Sequence, residues 1–273
     1  MSGEEQEKAS KVPSVRKLFC GVDVGASATK LILLDSERKV RAKVVRPSGV
    51  DYAATAKECL DQAAAEVGGS RDIARTVSTG YGRRNVNFAD ASLTEIHCHG
   101  VGCYHHIPRP ITIVDIGGQD NKVIRLDASG QRLDFKMNRK CAAGTGAFIE
   151  EMALRLGLDV GEMDPLARTT EEAVRLSSFC TVFAKTEILA HLRKGIPVAE
   201  IVRGAFMSVI QRVVEMDPLD GEVVLTGGVV EYNPTIADIL SKKIGRRVEV
   251  PPHPQYTGAL GAALVALRQS EKK

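Results

Sequence analysis

Two stretches decide the fold: Leu18–Asp35, LFCGVDVGASATKLILLD, and Pro110–Asp127, PITIVDIGGQDNKVIRLD. Offset by 92 positions they superpose without a gap, placing Asp23 on Asp115, Gly25 on Gly117, Lys30 on Lys122, Leu34 on Leu126 and Asp35 on Asp127. Each copy is a β-branched apolar run, a short glycine-containing turn and a second apolar run, the pattern of a β-hairpin. The shared frame D-x-G-x4-K-x-I-x-L-D makes chance a poor explanation. Two related halves opening with the same hairpin predict two similar lobes with a cleft between them.

Around these hairpins strands and helices alternate. Helices are predicted over 52–65, 144–156, 181–194, 201–216, 233–243 and 257–268. Short strands are predicted over 74–78, 222–226 and 247–250. This is an α/β chain with mixed sheets. The lobe boundary is expected near Pro108, giving lobe I as 18–108 and lobe II as 109–256, with the final helix 257–268 returning to lobe I.

Composition excludes several classes. The chain has 273 residues, 44 % hydrophobic and 26 % charged, which is globular. Its net charge of +3 is scattered, and 4 % aromatics without Trp leave few platforms for stacking bases, so no nucleic-acid partner is expected. The longest weakly polar stretch, Gly258–Leu267, is too short to span a bilayer, and the first 17 residues are polar, charged and expected to be disordered. A cytoplasmic location follows, in which six cysteines serve as buried thiols, metal ligands or catalysts rather than disulfides.

The two hairpin turns suit phosphate. Backbone N–H groups over Gly25, Ala26, Ser27, Ala28, Thr29 and Lys30, and again over Gly117, Gly118, Gln119 and Asp120, can form an anion-binding concavity. Asp23 and Asp115 stand at the turn mouths, where they can hold Mg²⁺ through water. A third glycine turn, Gly227-Gly228, follows a strand. Neither a Walker A loop nor G-x-G-x-x-G occurs. Gly144, Thr145 and Gly146 open a predicted helix, whose free N–H groups would be available to nucleotide oxygens. Were a bound phosphate to be transferred to water, the groups that could orient that water are Gln119, Asp120 and Glu95.

Cys141 and Cys180 each precede a predicted helix, where the helix dipole favours a thiolate. From spacing alone two readings stand, metal ligands or small buried side chains, because no C-x-x-C is present. The segment His97-Cys98-His99-Gly-Val-Gly-Cys103-Tyr-His105-His106 also has the composition of a metal site. Its Cys103, His105 and His106 lead into a loop and are expected to be exposed. Cys20 and Cys59 are expected in the core.

The turns DVGASATK, DIGGQD and LTGGV resemble the actin, hexokinase and Hsp70 superfamily of ATPases. STGYGR (78–83), TEIHCHG (94–100), MNRKCAAGTGAF (137–148), SSFCTVFAKTE (177–187) and PPHPQYTGALGAAL (251–264) narrow the resemblance to the BadF/BadG/BcrA/BcrD ATPases. These are activators of 2-hydroxyacyl-CoA dehydratases and ATPase subunits of benzoyl-CoA reductases. The resemblance implies a two-lobed ATPase fold with a central nucleotide cleft. It also implies a homodimer in which Cys141 and Cys180 of both subunits hold one [4Fe–4S] cluster, with ATP or ADP in each cleft. Such a protein would take electrons from a ferredoxin or flavodoxin and pass them singly to an iron–sulfur acyl-CoA dehydratase or reductase. The alternative is a small-molecule kinase of the same fold without a cluster.

Overall fold

The structure, a computed structural model, describes residues 17–69, 72–138, 141–176 and 180–271. The expected disordered tail, apart from Lys17, and Ser177–Phe179 of the second cysteine motif lie outside the described residues.

The first hairpin forms as predicted. β1 (Leu18–Val24) is buried along its whole length and pairs antiparallel with β2 (Ala28–Asp35). β3 (Val40–Pro47) continues the meander, followed by α1 (Tyr52–Glu66), β4 (Ile73–Thr79), the two-residue β5 (Ala91–Ser92) and α2 (Glu95–His106). The second hairpin repeats the pattern in β6 (Ile111–Ile116), β7 (Asn121–Leu126) and β8 (Arg132–Asn138). Then come α3 (Gly146–Leu156), α4 (Val160–Ala167), α5 (Thr181–Arg193), α6 (Val198–Met216), β9 (Val223–Thr226), α7 (Gly228–Tyr232), α8 (Thr235–Ile244), β10 (Val248–Glu249) and α9 (Thr257–Glu271).

The two sheets have the same topology, β3-β2-β1-β4-β5 and β8-β7-β6-β9-β10, with the two outer strands parallel to the hairpin's first strand in each. The final aspartate of the repeat frame closes the second turn in both halves. Asp35 Oδ1 accepts from the backbone N–H groups of Glu37 and Lys39, and Asp127 Oδ1 accepts from those of Ser129 and Gln131. These Asx turns set the register of the third strand.

Each sheet carries its own core. On the second sheet, Val114, Ile116 and Val123 pack with Phe148, Ile149 and Met152 of α3 and Phe206, Val209 and Ile210 of α6. The i, i+4 spacing of Phe148 and Met152 puts both on the buried face, and truncating Phe148 to Ala would cost about 3–5 kcal/mol. On the first sheet, Cys20, Val22, Leu31 and Leu33 pack against Ala56, Cys59 and Leu60 of α1. The final helix packs on β1, β2 and β4 and against α2.

The α2–α9 crossing accounts for the composition of HCHGVGC. A Cβ on Gly102 would lie 3.1 Å from the carbonyl carbon of Thr257, and one on Gly261 2.6 Å from that of Cys98. Glycine at these positions lets the two backbones approach. Cys98 and Cys103 are fully buried, correcting the expectation that Cys103 is exposed in a loop; it belongs to the inward face of α2. Among the described residues no three His, Cys, Asp or Glu side chains converge as a metal site, and no helix is long and apolar enough to cross a membrane.

Candidate functional site: a cleft between the hairpin turns and two exposed cysteines

A cleft of about 670 Å³ lies where the two hairpin turns face one another. It is lined by Gly25 to Ala28 and Lys30 from one turn, by Gly117 to Asp120 and Lys122 from the other, and by the third turn, Gly227-Gly228. Asp23, Asp115 and Glu95 also line it. Each hairpin turn is closed by the same backbone bond, Gly25 N–H to Ala28 O at 3.1 Å and Gly117 N–H to Asp120 O at 2.9 Å. The turns nearly touch: a Cβ on Gly118 would lie 2.8 Å from Ser27 Cβ.

Three predicted contacts fall outside the cleft lining. Thr29 is buried, its hydroxyl bonded to Ser48 Oγ at 2.9 Å. Gly144 and Thr145 lie behind the cleft wall, and only Gly146 of that trio lines it. The expectation of free N–H groups at the start of this helix is corrected. Thr145 N–H donates to Ala142 O, Gly146 N–H to Gly117 O at 2.9 Å and Ala147 N–H to Gly118 O at 2.8 Å. The helix begins at Gly146 rather than Gly144 because Gly144 has a positive φ of 85° and Thr145, the N-cap, is extended.

The electrostatics are concentrated in the second turn. Lys122 Nζ lies 2.7 Å from Asp120, 3.1 Å from Asp115 and 3.7 Å from Glu95. Burial alone would lower its pKa, but the carboxylates of Asp115, Asp120 and Glu95 hold it above the usual lysine value. Burial alone would likewise raise the Asp115 carboxyl. The charges of His99 and Lys122, with hydrogen bonds from Lys122 and Thr226, instead hold it well below the usual carboxylate range. His99, which in the sequence stands out only as part of TEIHCHG, is buried, with Nδ1 3.5 Å from Asp115 Oδ1. Its burial on the α2 face turned toward the cleft carries no simple sequence signal. Around the first turn the charge is sparser: Lys30 Nζ stands 3.6 Å from Asp23 Oδ2.

The six cysteines divide into two groups. Cys20, Cys59, Cys98 and Cys103 are buried. Burial pushes the thiols of Cys20 and Cys98 up to about 12 and that of Cys59 to about 11, and raises that of Cys103 as well. Such thiols are chemically inert. Cys141 and Cys180 alone are exposed, Cys141 in the segment between β8 and α3, and Cys180 as N-cap of α5.

Residues 20–266 match the family model described as the BadF/BadG/BcrA/BcrD ATPase family. The chain belongs to this ATPase family. An activator of lactoyl-CoA dehydratase from Anaerotignum propionicum is 41 % identical over 258 residues, covering 93 % of this chain and 98 % of the relative. An (R)-2-hydroxyglutaryl-CoA dehydratase activating ATPase from Acidaminococcus fermentans is 38 % identical over 92 % of this chain and 98 % of its own length. The solved structure of the activator of the 2-hydroxyisocaproyl-CoA dehydratase from Clostridium difficile with bound ADPNP superposes with a TM-score of 0.88. It is 38 % identical, with 93 % of this chain and 96 % of that chain covered. The family's two-lobed ATPase fold is therefore the fold of this chain. Relatives of this identity are activators, which weighs against the small-molecule kinase alternative.

Proposed function

We propose that the chain is an ATP-hydrolysing activator that delivers single electrons to a partner iron–sulfur enzyme acting on an acyl-CoA, a dehydratase or a reductase. The observation that carries this reading is the tie between the second phosphate turn and the Cys141 segment. Gly146 and Ala147 donate to the turn carbonyls of Gly117 and Gly118, and Asn121 Nδ2, one residue beyond the turn, donates to Gly144 O at 2.7 Å. A phosphate that moves this turn moves the backbone three residues from Cys141.

The two exposed cysteines fit an iron–sulfur group by the chemistry of their donors. They are the two exposed thiols, and Cys180 caps a 13-residue helix whose N-terminus favours negative charge. Two thiolates per chain require a second chain to complete a four-thiolate site. Val182 and Phe183, beside Cys180 in the first turn of α5, are exposed apolar side chains suited to such a contact. We infer a homodimer in which Cys141 and Cys180 of both copies hold one [4Fe–4S] cluster. When bound, that cluster would supply one-electron transfer at low potential, with a ferredoxin or flavodoxin as the source.

In the cleft, the turns Gly25–Lys30 and Gly117–Asp120 would hold the ATP phosphates. Asp23 and Asp115 approach from opposite lobes and would hold Mg²⁺ through water, Asp23 being the less tightly paired of the two. Of the groups that could orient water, Asp120 is held by Lys122 at 2.7 Å and Glu95 more loosely at 3.7 Å, while Gln119 stands at the exposed turn tip.

Anaerobic purification of wild type and of Cys141→Ser and Cys180→Ser tests the assignment. The expected result is a brown wild type containing iron and sulfide, and variants that lose the visible absorption while binding ATP as before. A colourless wild type, or variants with an unchanged spectrum, would overturn it.

A further inference from the structure

A buried imidazole with an unmade bond faces the aspartate of the second lobe. His99, on α2, lines the cleft and is 5 % exposed, and its Nδ1 has no hydrogen-bond partner. Opposite it at 3.5 Å is Asp115 Oδ1, which accepts from Thr226 Oγ1 at 2.9 Å, while Asp115 Oδ2 accepts from Lys122 Nζ at 3.1 Å. A ring nitrogen withdrawn from water and left unpaired destabilises a fold, and native structures hold few without a reason. A carboxylate opposite Nδ1 also selects the tautomer that carries its proton there.

The ring's other nitrogen is turned toward the first lobe. A Cβ on Gly258, the second residue of α9, would lie 2.9 Å from Asp23 Oδ2 and 3.0 Å from His99 Nε2, so these two atoms border one small space that the glycine leaves open. The helix carrying the ring belongs to both lobes. Ile96 and Cys103 of α2 pack with Ile113 and Ile124 of the second sheet, whereas Cys98 packs with Phe19 and Val77 of the first. The close approaches at Gly102 and Gly261 press α2 against α9. His99 therefore stands on a tightly packed crossing between the lobes, with one ring nitrogen toward the carboxylate of each.

We propose that His99 is a positioning residue for phosphoryl transfer in the cleft, its Nδ1–H donating to Asp115 Oδ1 when nucleotide is bound. With Oδ1 then held by Thr226 and His99, Oδ2 is the oxygen left to serve a cation's water, and Nε2 limits how Asp23 approaches from the other lobe. The inference rests on the cleft being the ATP site and on Asp23 and Asp115 serving the cation. His99 touches neither nucleotide nor cation and acts through the two carboxylates. Hydrogen-bond partners one step removed from a cation orient the groups that hold it, and losing one typically costs roughly 10- to 100-fold in cation affinity or activity.

Steady-state ATPase kinetics of the full-length protein test this, together with Mn²⁺ binding in the presence of ADPNP followed by electron paramagnetic resonance. The amide of Asn reaches as far from the backbone as Nδ1, and that of Gln as far as Nε2. His99→Asn, which keeps a donor for Asp115, should hold kcat and Mn²⁺ affinity within about threefold of wild type. His99→Gln and His99→Ala should lower both by about tenfold or more, with KM for ATP little changed. Gly258→Ala, which keeps the imidazole but sets a methyl between Nε2 and Asp23, should lower kcat in the same way. If the alanine variant at 99 does not fold, the contrast between Asn and Gln, both polar, still decides. Equal losses in those two variants, as a merely structural role would give, or an alanine variant with wild-type kcat and Mn²⁺ affinity, would overturn the inference. A wild type that binds no ATP would overturn the reading of the cleft and this inference with it.

Discussion

The two halves share one backbone plan, and their differences fall where the chemistry is. In the first, the chain leaving β3 returns at once to its turn, Ser48 N–H donating to Ser27 O and Ser48 Oγ to Gly25 O, and α1 follows within four residues. In the second, the chain beyond β8 makes the same return through Gly146 and Ala147, but only after the stretch of sequence that carries Cys141. The residue at the matching position after each turn serves each tie: Thr29 holds Ser48, and Asn121 holds Gly144. The same anchor thus occurs in both halves, while the segment beside it carries an exposed thiol in the second half alone. The charges diverge in the same direction, with Lys122 among three carboxylates and Lys30 near one.

The largest expected effect breaks the charge comparison. Replacing Lys122 by Met leaves Asp115, Asp120 and Glu95 facing one another without the buried cation between them, and should cost about 3–5 kcal/mol in urea unfolding. Lys30→Met removes a longer pair with more solvent access and should cost about 1 kcal/mol or less. Equal losses would mean that the two hairpins are electrostatically equivalent despite their geometry.

A second pair of variants sharpens the comparison of the ties. Thr29→Ala and Asn121→Ala each remove one side of a buried hydrogen bond, and each should lose about 1–3 kcal/mol of stability. Their consequences for the cysteine should differ. In apo protein free of iron, ATP should change the rate at which iodoacetamide labels Cys141, and Asn121→Ala should flatten that response while Thr29→Ala preserves it. A response that survives in both variants would put the coupling elsewhere.

Much of this was legible because the repeat is written in apolar β-branched runs with glycine turns, which fix β1, β2, β6 and β7 residue by residue. The third strands were not. β3 (VRAKVVRP) alternates charge with burial at a sheet edge, and β8 (RLDFKMN) is almost wholly exposed, so neither presents an apolar run. Helix α2 was hidden by its own composition, since His, Cys and Gly in close succession look like a metal site until the opposing α9 backbone explains Gly102 and the burial of Cys98 and Cys103 places them in the core. The two glycine-containing hairpin turns were readable as turns. That Thr145 and Gly146 spend their N–H groups within the fold was not, because a hydrogen bond between residues 117 and 146 leaves no local mark on either segment.

The smallest effect concerns the repeat's last aspartate, which closes the same Asx turn in both halves but in different solvent. Burial would raise the Asp35 carboxyl, yet the N–H groups of Lys39 and Glu37 and the Arg41 guanidinium hold it below the usual carboxylate range. Asp127 is also lowered, through the Ser129 hydroxyl and the Gln131 N–H, but it is solvated. A carboxyl whose pKa is depressed on folding contributes stability above its unfolded pKa, about 4, and loses that contribution as pH falls toward the folded value. The gap in melting temperature between wild type and Asp35→Asn should therefore be full at pH 7 and close as the pH is lowered through 4 toward 3. The gap for Asp127→Asn should be smaller at every pH, because water competes for its exposed hydrogen bonds. If instead the two gaps match, the arginine and the burial at Asp35 add nothing to a turn that its backbone bonds already hold, and the halves are alike at this position in energy as well as in shape.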